Sequence, residues 1–395
     1  MELPGALHVG TAVAVGAFES LGNLWENAVG LVGGTRPRRA VESLEGHVAI
    51  VTGGNRGIGF STARKLAERG ATVVLACRDK QQGAAAAEAL SRVEPLPGCA
   101  RPRVECRHLD LGSLSSVRAF ARDWNRSGRP VHLLICNAGI MSPPTKVVTG
   151  DGHEAQLQVN FLSHFVLSHE LLAAQRQRRA GARRGARAGR RHERRPRWQG
   201  QQQPQQQPQP QEPGARGPAA PDGTRVVFLS SLTHHAGPAQ WHDRLSQSSY
   251  SPFTSYALSK LCNTMAAFEL QRRIDRNAPA HGAADLAVAV HPGIVHTDLA
   301  TGFFRQTGAA ALPWAAAAAR GALERAFPLV LRSPDASAED LVAVATAPAG
   351  QIAGRYFANG RAARAAPFAR DAARCADLWD WAVGLAGLDV HESLS

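Results

Sequence analysis

The chain has 395 residues, 44% of them hydrophobic, and can therefore bury a sizeable core. Its formal charge of +13 invites a nucleic-acid reading. However, residues 175–223 hold twelve Arg against Glu193, Glu212 and Asp222, so that stretch supplies +9 and leaves only +4 elsewhere, which argues against a specific nucleic-acid face.

Six cysteines form no CxxC pair, and Cys77 and Cys136 fall in strand-like runs where a buried free thiol is expected, as in a reducing compartment. At the amino terminus, Ala6–Phe18 is apolar but shorter than the roughly 20 residues a spanning helix needs. Leu21–Val32 is apolar apart from Glu26, and Arg36-Pro37-Arg38-Arg39 follows. Residues 1–45 thus read as an extension with a helix in a membrane interface, a solvated tail being the other reading. The setting this implies is intracellular, at endoplasmic reticulum or lipid-droplet membranes, with the cytoplasm as the fallback.

The stretch His47–Gly59, HVAIVTGGNRGIG, organises the rest of the chain. An apolar run of strand length breaks at Thr52-Gly53-Gly54 and resumes after Gly57 as an amphipathic helix. Strand, glycine turn and helix make the first half of a nucleotide-binding βα unit. Gly53 permits the turn, Gly57 lets the backbone approach a pyrophosphate, and Gly59 brings the helix close. The free N–H groups opening the helix at Ile58 favour phosphate charge.

Ala71–Cys77 is a second strand, followed by Arg78-Asp79 where the adenosine ribose should sit. A guanidinium there suits a 2′-phosphate, so Arg78, joined by Arg56, favours NADP(H) over NAD(H), with Asp79 as the contrary sign. Gln81–Arg92 reads as a helix, and Val104–Leu109 as a third strand closing at Asp110-Leu111. A helix capped by Ser113 follows, then a fourth strand, Val131–Ile135, ending in Cys136-Asn137-Ala138-Gly139. Gly150–Leu172 is a helix carrying Asn160 midway. The alternation predicts an α/β fold, a single Rossmann-type doubly wound parallel sheet with helices on both faces.

Residues 175–223 interrupt the domain of residues 46–395 with Arg-rich, then Gln/Pro-rich sequence, which reads as a disordered insert. Helix-to-strand connections lie on the rim opposite the ligand, so removing residues 176–221 should leave turnover nearly intact. Arg225–Leu229 is a fifth strand delivering Ser230-Ser231, Phe253–Ile274 a helix, and Leu286–Val290 a sixth strand. His291-Pro292-Gly293-Ile294-Val295-His296-Thr297 is the loop after it, and Arg355–Ala358 reads as a last edge strand. His234, His235 and His242 have no carboxylate or Cys at ligand spacing, so no metal is expected.

Tyr256 and Lys260 stand four apart on the predicted helix and share a face. Carbonyl reduction by hydride needs a proton donor, and the reverse needs a base. A phenol titrates near 10, and lowering it by about three units takes roughly 4 kcal/mol. An ammonium a few ångströms away supplies an energy of that order, so Lys260, assisted by the positive oxidised nicotinamide, is expected to make Tyr256 the acid/base. Ser231 would bond the substrate oxygen, and Asn160 would hold a water linking Lys260 to solvent.

TGGNRGIG, CNAG, Asn160, Ser230-Ser231, YALSK and HPGIVHT, in this order, resemble the short-chain dehydrogenase/reductase family from about Glu45 to Thr297. The resemblance implies a catalytic tetrad of Asn160, Ser231, Tyr256 and Lys260, although sequence does not separate Ser231 from Ser230. It implies cofactor contacts at Gly53, Asn55, Arg56, Gly57, Ile58, Gly59, Arg78, Asp110, Leu111, Asn137, Ala138, Gly139, Tyr256, Lys260, Pro292, Gly293 and Thr297. ACRD, VNFLSHF and SSLTHHAG are similar to its retinol-dehydrogenase-like and X-chromosome dehydrogenase/reductase-like members. Those favour lipophilic alcohols and ketones such as retinoids, steroids and polyprenols, often with peripheral membrane contact, as monomer or homodimer. The apolar stretch 303–331 then reads as a substrate lid or an ordinary core helix. A departure from the pattern is Cys136, where the family usually has Asn. The competing expectation is a sensor or scaffold that binds the cofactor without turnover.

Overall fold

Val48–Thr52 forms β1, and all five residues are buried. Val48 and Ile50 face one apolar layer while Ala49 and Val51 face the other, so the strand belongs mid-sheet between two layers of helices. The computed structural model describes residues 41–141, 143–193, 223–277, 285–295 and 332–388. The expected extension 1–45 falls outside these residues up to residue 40, as do Thr297 and the stretch 303–331.

After β1 come β2 (Thr72–Cys77), β3 (Arg103–His108), β4 (Leu133–Cys136), β5 (Arg225–Leu229), β6 (Leu286–His291), β7 (Tyr356–Ala358) and β8 (Arg361–Ala363). They form one sheet in the order β3-β2-β1-β4-β5-β6-β7-β8, parallel throughout except for the final β7–β8 pair. The chain winds outward from β1 to β3 and then returns past β1 to lay down β4. That reversal opens a crevice at the carboxyl ends of β1 and β4, where α/β sheets hold their ligands.

Helices α1 (Gly57–Glu68), α2 (Lys80–Ser91), α3 (Leu114–Arg126), α4 (Ser163–Glu193), α5 (Pro252–Arg276), α6 (Pro334–Thr346) and α7 (Ala372–Ala386) cover the sheet. α1, α2 and α6 bury their apolar stripes on one face; α3, α4, α5 and α7 do so on the other. The fold is therefore the doubly wound α/β architecture that the strand–helix alternation predicts. Ser113 caps α3 as expected, accepting from Ser116 N–H. Among the described residues no helix is long and apolar enough to cross a membrane.

Two boundaries differ from the sequence reading. The expected edge strand is β7, but β8 lies outside it, joined through Asn359 and Gly360 at φ 51° and 72°. Those left-handed residues make the two-residue turn that matches strand twist. The second difference is the helix expected over Gly150–Leu172, which begins at Ala155, passes through a π turn at Gln158–Leu162 and continues as α4 to Glu193. Its added turns are fastened: Arg178 donates to the Asn125 and Arg129 carbonyls, and Arg176 and Arg179 pair with Asp285 at 2.8 and 2.6 Å. Asp285 is only 4% exposed and also accepts from Thr224 N–H at 2.8 Å. The arginines at the start of the expected insert therefore belong to the folded body, and a cut at residue 176 falls inside it.

Candidate active site

The glycine turn lies in the β1–β4 crevice. Gly53 and Gly57 take φ values of 63° and 56°, which disfavour any side chain. A Cβ on Gly59 would overlap the Asn137 side chain and the Gly53 carbonyl, so helix α1 starts tight against the ends of β1 and β4. Asn137 Nδ2 donates to Thr52 O at 2.8 Å, and Thr52 Oγ1 accepts from the Asn137 and Ala138 N–H groups at 3.0 Å each. Arg56 is exposed on this turn, Asn55 is half-buried and donates to Gln82 Oε1 at 3.2 Å, and Ile58 packs partly against the apolar layer under α1. The start of α1 has no capping side chain and no carboxylate in its first turn, whereas α2, α3, α5, α6 and α7 are all capped. Uncapped N–H groups above a cradle without side chains fit a dinucleotide pyrophosphate.

At the end of β2, Arg78 and Arg56 are exposed, and neither has a carboxylate partner among the described residues. Asp79 is occupied: its carboxylate caps α2, accepting from Gln82 N and Nε2 at 2.9 Å each. Asp110 Oδ1 accepts from Gly112 N–H at 2.8 Å, and the Leu111 carbonyl accepts from Ser163 at 2.7 Å, which shapes the β3 end of the crevice.

Asn160, Ser231, Tyr256 and Lys260 converge at the other end. Tyr256 is 7% exposed and Lys260 5%. The Ser231 side chain acts on the Tyr256 phenol in the direction that lowers it, and its hydroxyl oxygen accepts from Thr233 N–H at 3.3 Å. Lys260 Nζ lies 5.6 Å from the phenol ring centre and donates to Leu229 O at 3.1 Å. The two serines separate cleanly: the Ser230 hydroxyl points back into α5, against the Lys260 carbonyl at 3.1 Å and Thr264 Oγ1 at 2.8 Å. Asn160 accepts from Ile140 N–H at 2.8 Å and donates to Ile140 O and Ser259 Oγ at 2.9 Å each. Its amide thus clasps the strand-β4 loop to α5. A Cβ on Gly139 would stand 3.1 Å from Asn160 Oδ1 and 3.6 Å from Lys260 Nζ, so this loop passes directly over both.

The electrostatics run against the expected direction. Burial pushes the Tyr256 phenol up to about 12, opposed only by the Ser231 hydrogen bond. Burial also pushes Lys260 down to about 8. Desolvation disfavours charge on both groups, and the ammonium is turned toward a carbonyl rather than the phenol oxygen. Lowering the phenol therefore takes more than Lys260 alone.

Pro292 and Gly293 follow β6 on the same rim. Gly293 has φ 89°, and a Cβ there would strike Asn359 Oδ1 and the Arg332 side chain. Arg332 pairs with Asp340 and donates to Asn359 Oδ1 at 3.0 Å, and its backbone pairs with Val295. Sequence reasoning missed Arg332, Thr52, Ser259, His164 and His234, although His164 and Asn160 stand one helical turn apart. Among the described residues no three of His, Cys, Asp and Glu gather as a metal site. His234 instead hydrogen-bonds the Ser231 carbonyl and the Ala366 N–H.

Residues 47–182 match the family model for short chain dehydrogenase. Polyprenol dehydrogenase from Mus musculus is 35% identical, over 88% of this chain and 86% of its own. Retinol dehydrogenase 11 from the same organism is 32% identical over 88% of each chain. The crystal structure of an uncharacterized protein from Mycobacterium Paratuberculosis superposes with a TM-score of 0.58 at 28% identity, over 90% of this chain and 98% of that one. With the crevice and the glycine turn in place, these likenesses identify the chain as a member of the short-chain dehydrogenase family, an NAD(P)-dependent oxidoreductase acting on CH–OH groups.

Proposed function

We propose that the chain interconverts a lipophilic alcohol, of polyprenoid, retinoid or steroid type, with its aldehyde or ketone, using NADP(H) in preference to NAD(H). The observation that carries the catalytic part is the buried phenol of Tyr256 with Lys260 one turn along, its Nζ 5.6 Å from the ring centre. The relatives named for polyprenol and retinol support the substrate class. NADP(H) preference is supported by the occupied carboxylate of Asp79 beside the unpaired Arg78 and Arg56. With the whole tetrad present and dehydrogenases as relatives, the sensor reading is not favoured.

The bound nicotinamide supplies or takes up hydride and, when oxidised, carries a positive charge. The chain's own residues handle the proton. At neutral pH the phenol, pushed up to about 12, is protonated and stands ready to donate to a carbonyl oxygen as it gains charge. Ser231 holds that oxygen beside the phenol. Lys260, protonated below about 8, steadies the phenolate left behind. Asn160 orients Ile140 and Ser259 around them. Peripheral membrane contact through residues 1–45 remains part of this proposal, on the sequence pattern alone.

The test is NADPH oxidation with retinal, a steroid ketone and a polyprenal, wild type against Tyr256→Phe. Turnover by wild type with at least one of them, lost in Tyr256→Phe while NADPH still binds, is the expected result; equal rates in both refute the assignment. Arg78→Asp should shift preference toward NADH, and an unchanged ratio of KM values would remove the NADP(H) part.

A further inference from the structure

Two buried imidazoles stand behind the tetrad with the same wiring. His164 Nδ1 is 3.0 Å from the Asn160 carbonyl oxygen, and its Nε2 is 2.9 Å from Thr52 Oγ1. His234 Nδ1 is 2.7 Å from the Ser231 carbonyl oxygen, and its Nε2 is 3.0 Å from the Ala366 backbone nitrogen. A carbonyl oxygen only accepts, so both Nδ1 atoms carry the proton and both Nε2 atoms are bare acceptors. At His234 the assignment is fixed from both ends, because the Ala366 amide only donates. At His164 the bare Nε2 is the nearer acceptor for the Thr52 hydroxyl, at 2.9 Å against 3.3 Å for the Ile135 carbonyl oxygen, while Thr52 Oγ1 accepts from Asn137 and Ala138.

The local backbone explains the first ring. Residues Gln158–Leu162 form a wide π turn just before α4, which opens the i to i+4 ladder around Asn160. The His164 ring serves the Asn160 carbonyl there. Burial keeps both rings neutral, holding His164 at about 4 and His234 at about 3. The nearby charge of Lys260 acts in the same direction on His164.

We propose that His164 and His234 are positioning residues, each a neutral strut that fixes the backbone of one tetrad residue against an element outside the catalytic helices. His164 ties Asn160 to the end of β1, and His234 ties Ser231 to the segment before α7. The proposal rests on the catalytic reading above. It makes the geometry of the asparagine, the serine and the cofactor turn depend on two atoms per ring, and the two atoms can be tested separately.

An asparagine amide reaches where Nδ1 lies, and a glutamine amide reaches where Nε2 lies. His164→Asn therefore keeps the bond to Asn160 and loses Thr52, while His164→Gln does the reverse. A crossed pattern is expected in steady-state kinetics of the full chain. His164→Gln should lower kcat by about tenfold, the scale of one lost hydrogen bond to a fixed group, with the smaller change in cofactor KM. His164→Asn should show the larger rise in cofactor KM and the smaller loss of kcat. At the second strut, His234→Gln should lose more kcat than His234→Asn. Equal effects of the Asn and Gln variants at a position, or losses that merely follow Tm, would overturn the proposal.

The second readout is independent of turnover. Long-range nitrogen–proton spectra of histidine-labelled protein at pH 7 should show His164 and His234 as neutral Nδ1–H rings, each assigned by its loss in the variants of that position and told apart in this way from His47 and His108, whose Nδ1 atoms also face carbonyl oxygens. An Nε2–H or charged ring would overturn the struts and leave the reaction standing. Equal turnover by wild type and Tyr256→Phe would instead remove the reaction, and with it the purpose of the struts.

Discussion

Removing the Arg-rich and Gln/Pro-rich stretch should cost almost nothing or several kcal/mol, depending on four residues. Asp285 is buried, with Arg176, Arg179 and the Thr224 amide gathered on its carboxylate. Arg179 and Thr224 reach the same carboxylate, so the two ends of the intervening sequence lie close together and a short glycine linker can join them. A deletion of residues 180–222 keeps both arginines. A deletion of 176–221 strips both and leaves a buried carboxylate with one amide. Breaking a buried pair by removing one side costs about 3–5 kcal/mol, against about 5–15 kcal/mol for a whole domain. Denaturant unfolding should therefore place the longer cut lower by about 3–5 kcal/mol at an unchanged m-value. Asp285→Asn should then reverse sign, destabilising the intact chain but restoring stability to the 176–221 deletion. Equal midpoints for the two deletions, or no reversal, would refute the account of Asp285.

Three further outcomes are expected. His164, His169 and His234 are held at about 4, 4 and 3, below the free value of 6.5, chiefly by burial. Their neutral forms contribute stability that is complete above pH 6.5 and lost as pH falls toward 4. At pH 5 each ring costs about 2 kcal/mol, so unfolding midpoints should drop steeply between pH 7 and 5, and a flat profile would contradict the burial of these rings. The rate of carbonyl reduction should fall as pH rises through about 8, where Lys260 loses its charge, and a rate level to pH 9.5 would contradict that role. Gly293→Ala meets both a φ of 89° and the Asn359 side chain, so cofactor KM should rise while Gly350→Ala, with open space around it and no left-handed φ, leaves KM unchanged.

What could be read from the sequence was what local spacing determines. The β1 run, the glycines at positions 53, 57 and 59, the Ser113 cap and the Tyr256–Lys260 turn each follow from neighbours within a few residues. The protonation of Tyr256 did not follow, because its rise to about 12 comes from tertiary burial that no spacing encodes. Nor did the end of α4, whose arginines find partners at Asn125, Arg129 and Asp285, far away along the chain. Two elements were legible and went unread. Asn359-Gly360 between two apolar pairs is a hairpin signal, and Asp371 before Leu378, Trp379, Ala382 and Val383 marks a capped amphipathic helix.

Val295 and Arg332 pair side by side although 36 residues separate them in sequence. Such a clasp closes the rim on itself at Val295 and Arg332, and lengthening the sequence between two ends already joined adds closure entropy only logarithmically. The place of Gly293, and of the Asn359 and Arg332 groups packed against it, is in this way set by the hinge rather than by the length of chain between its two leaves.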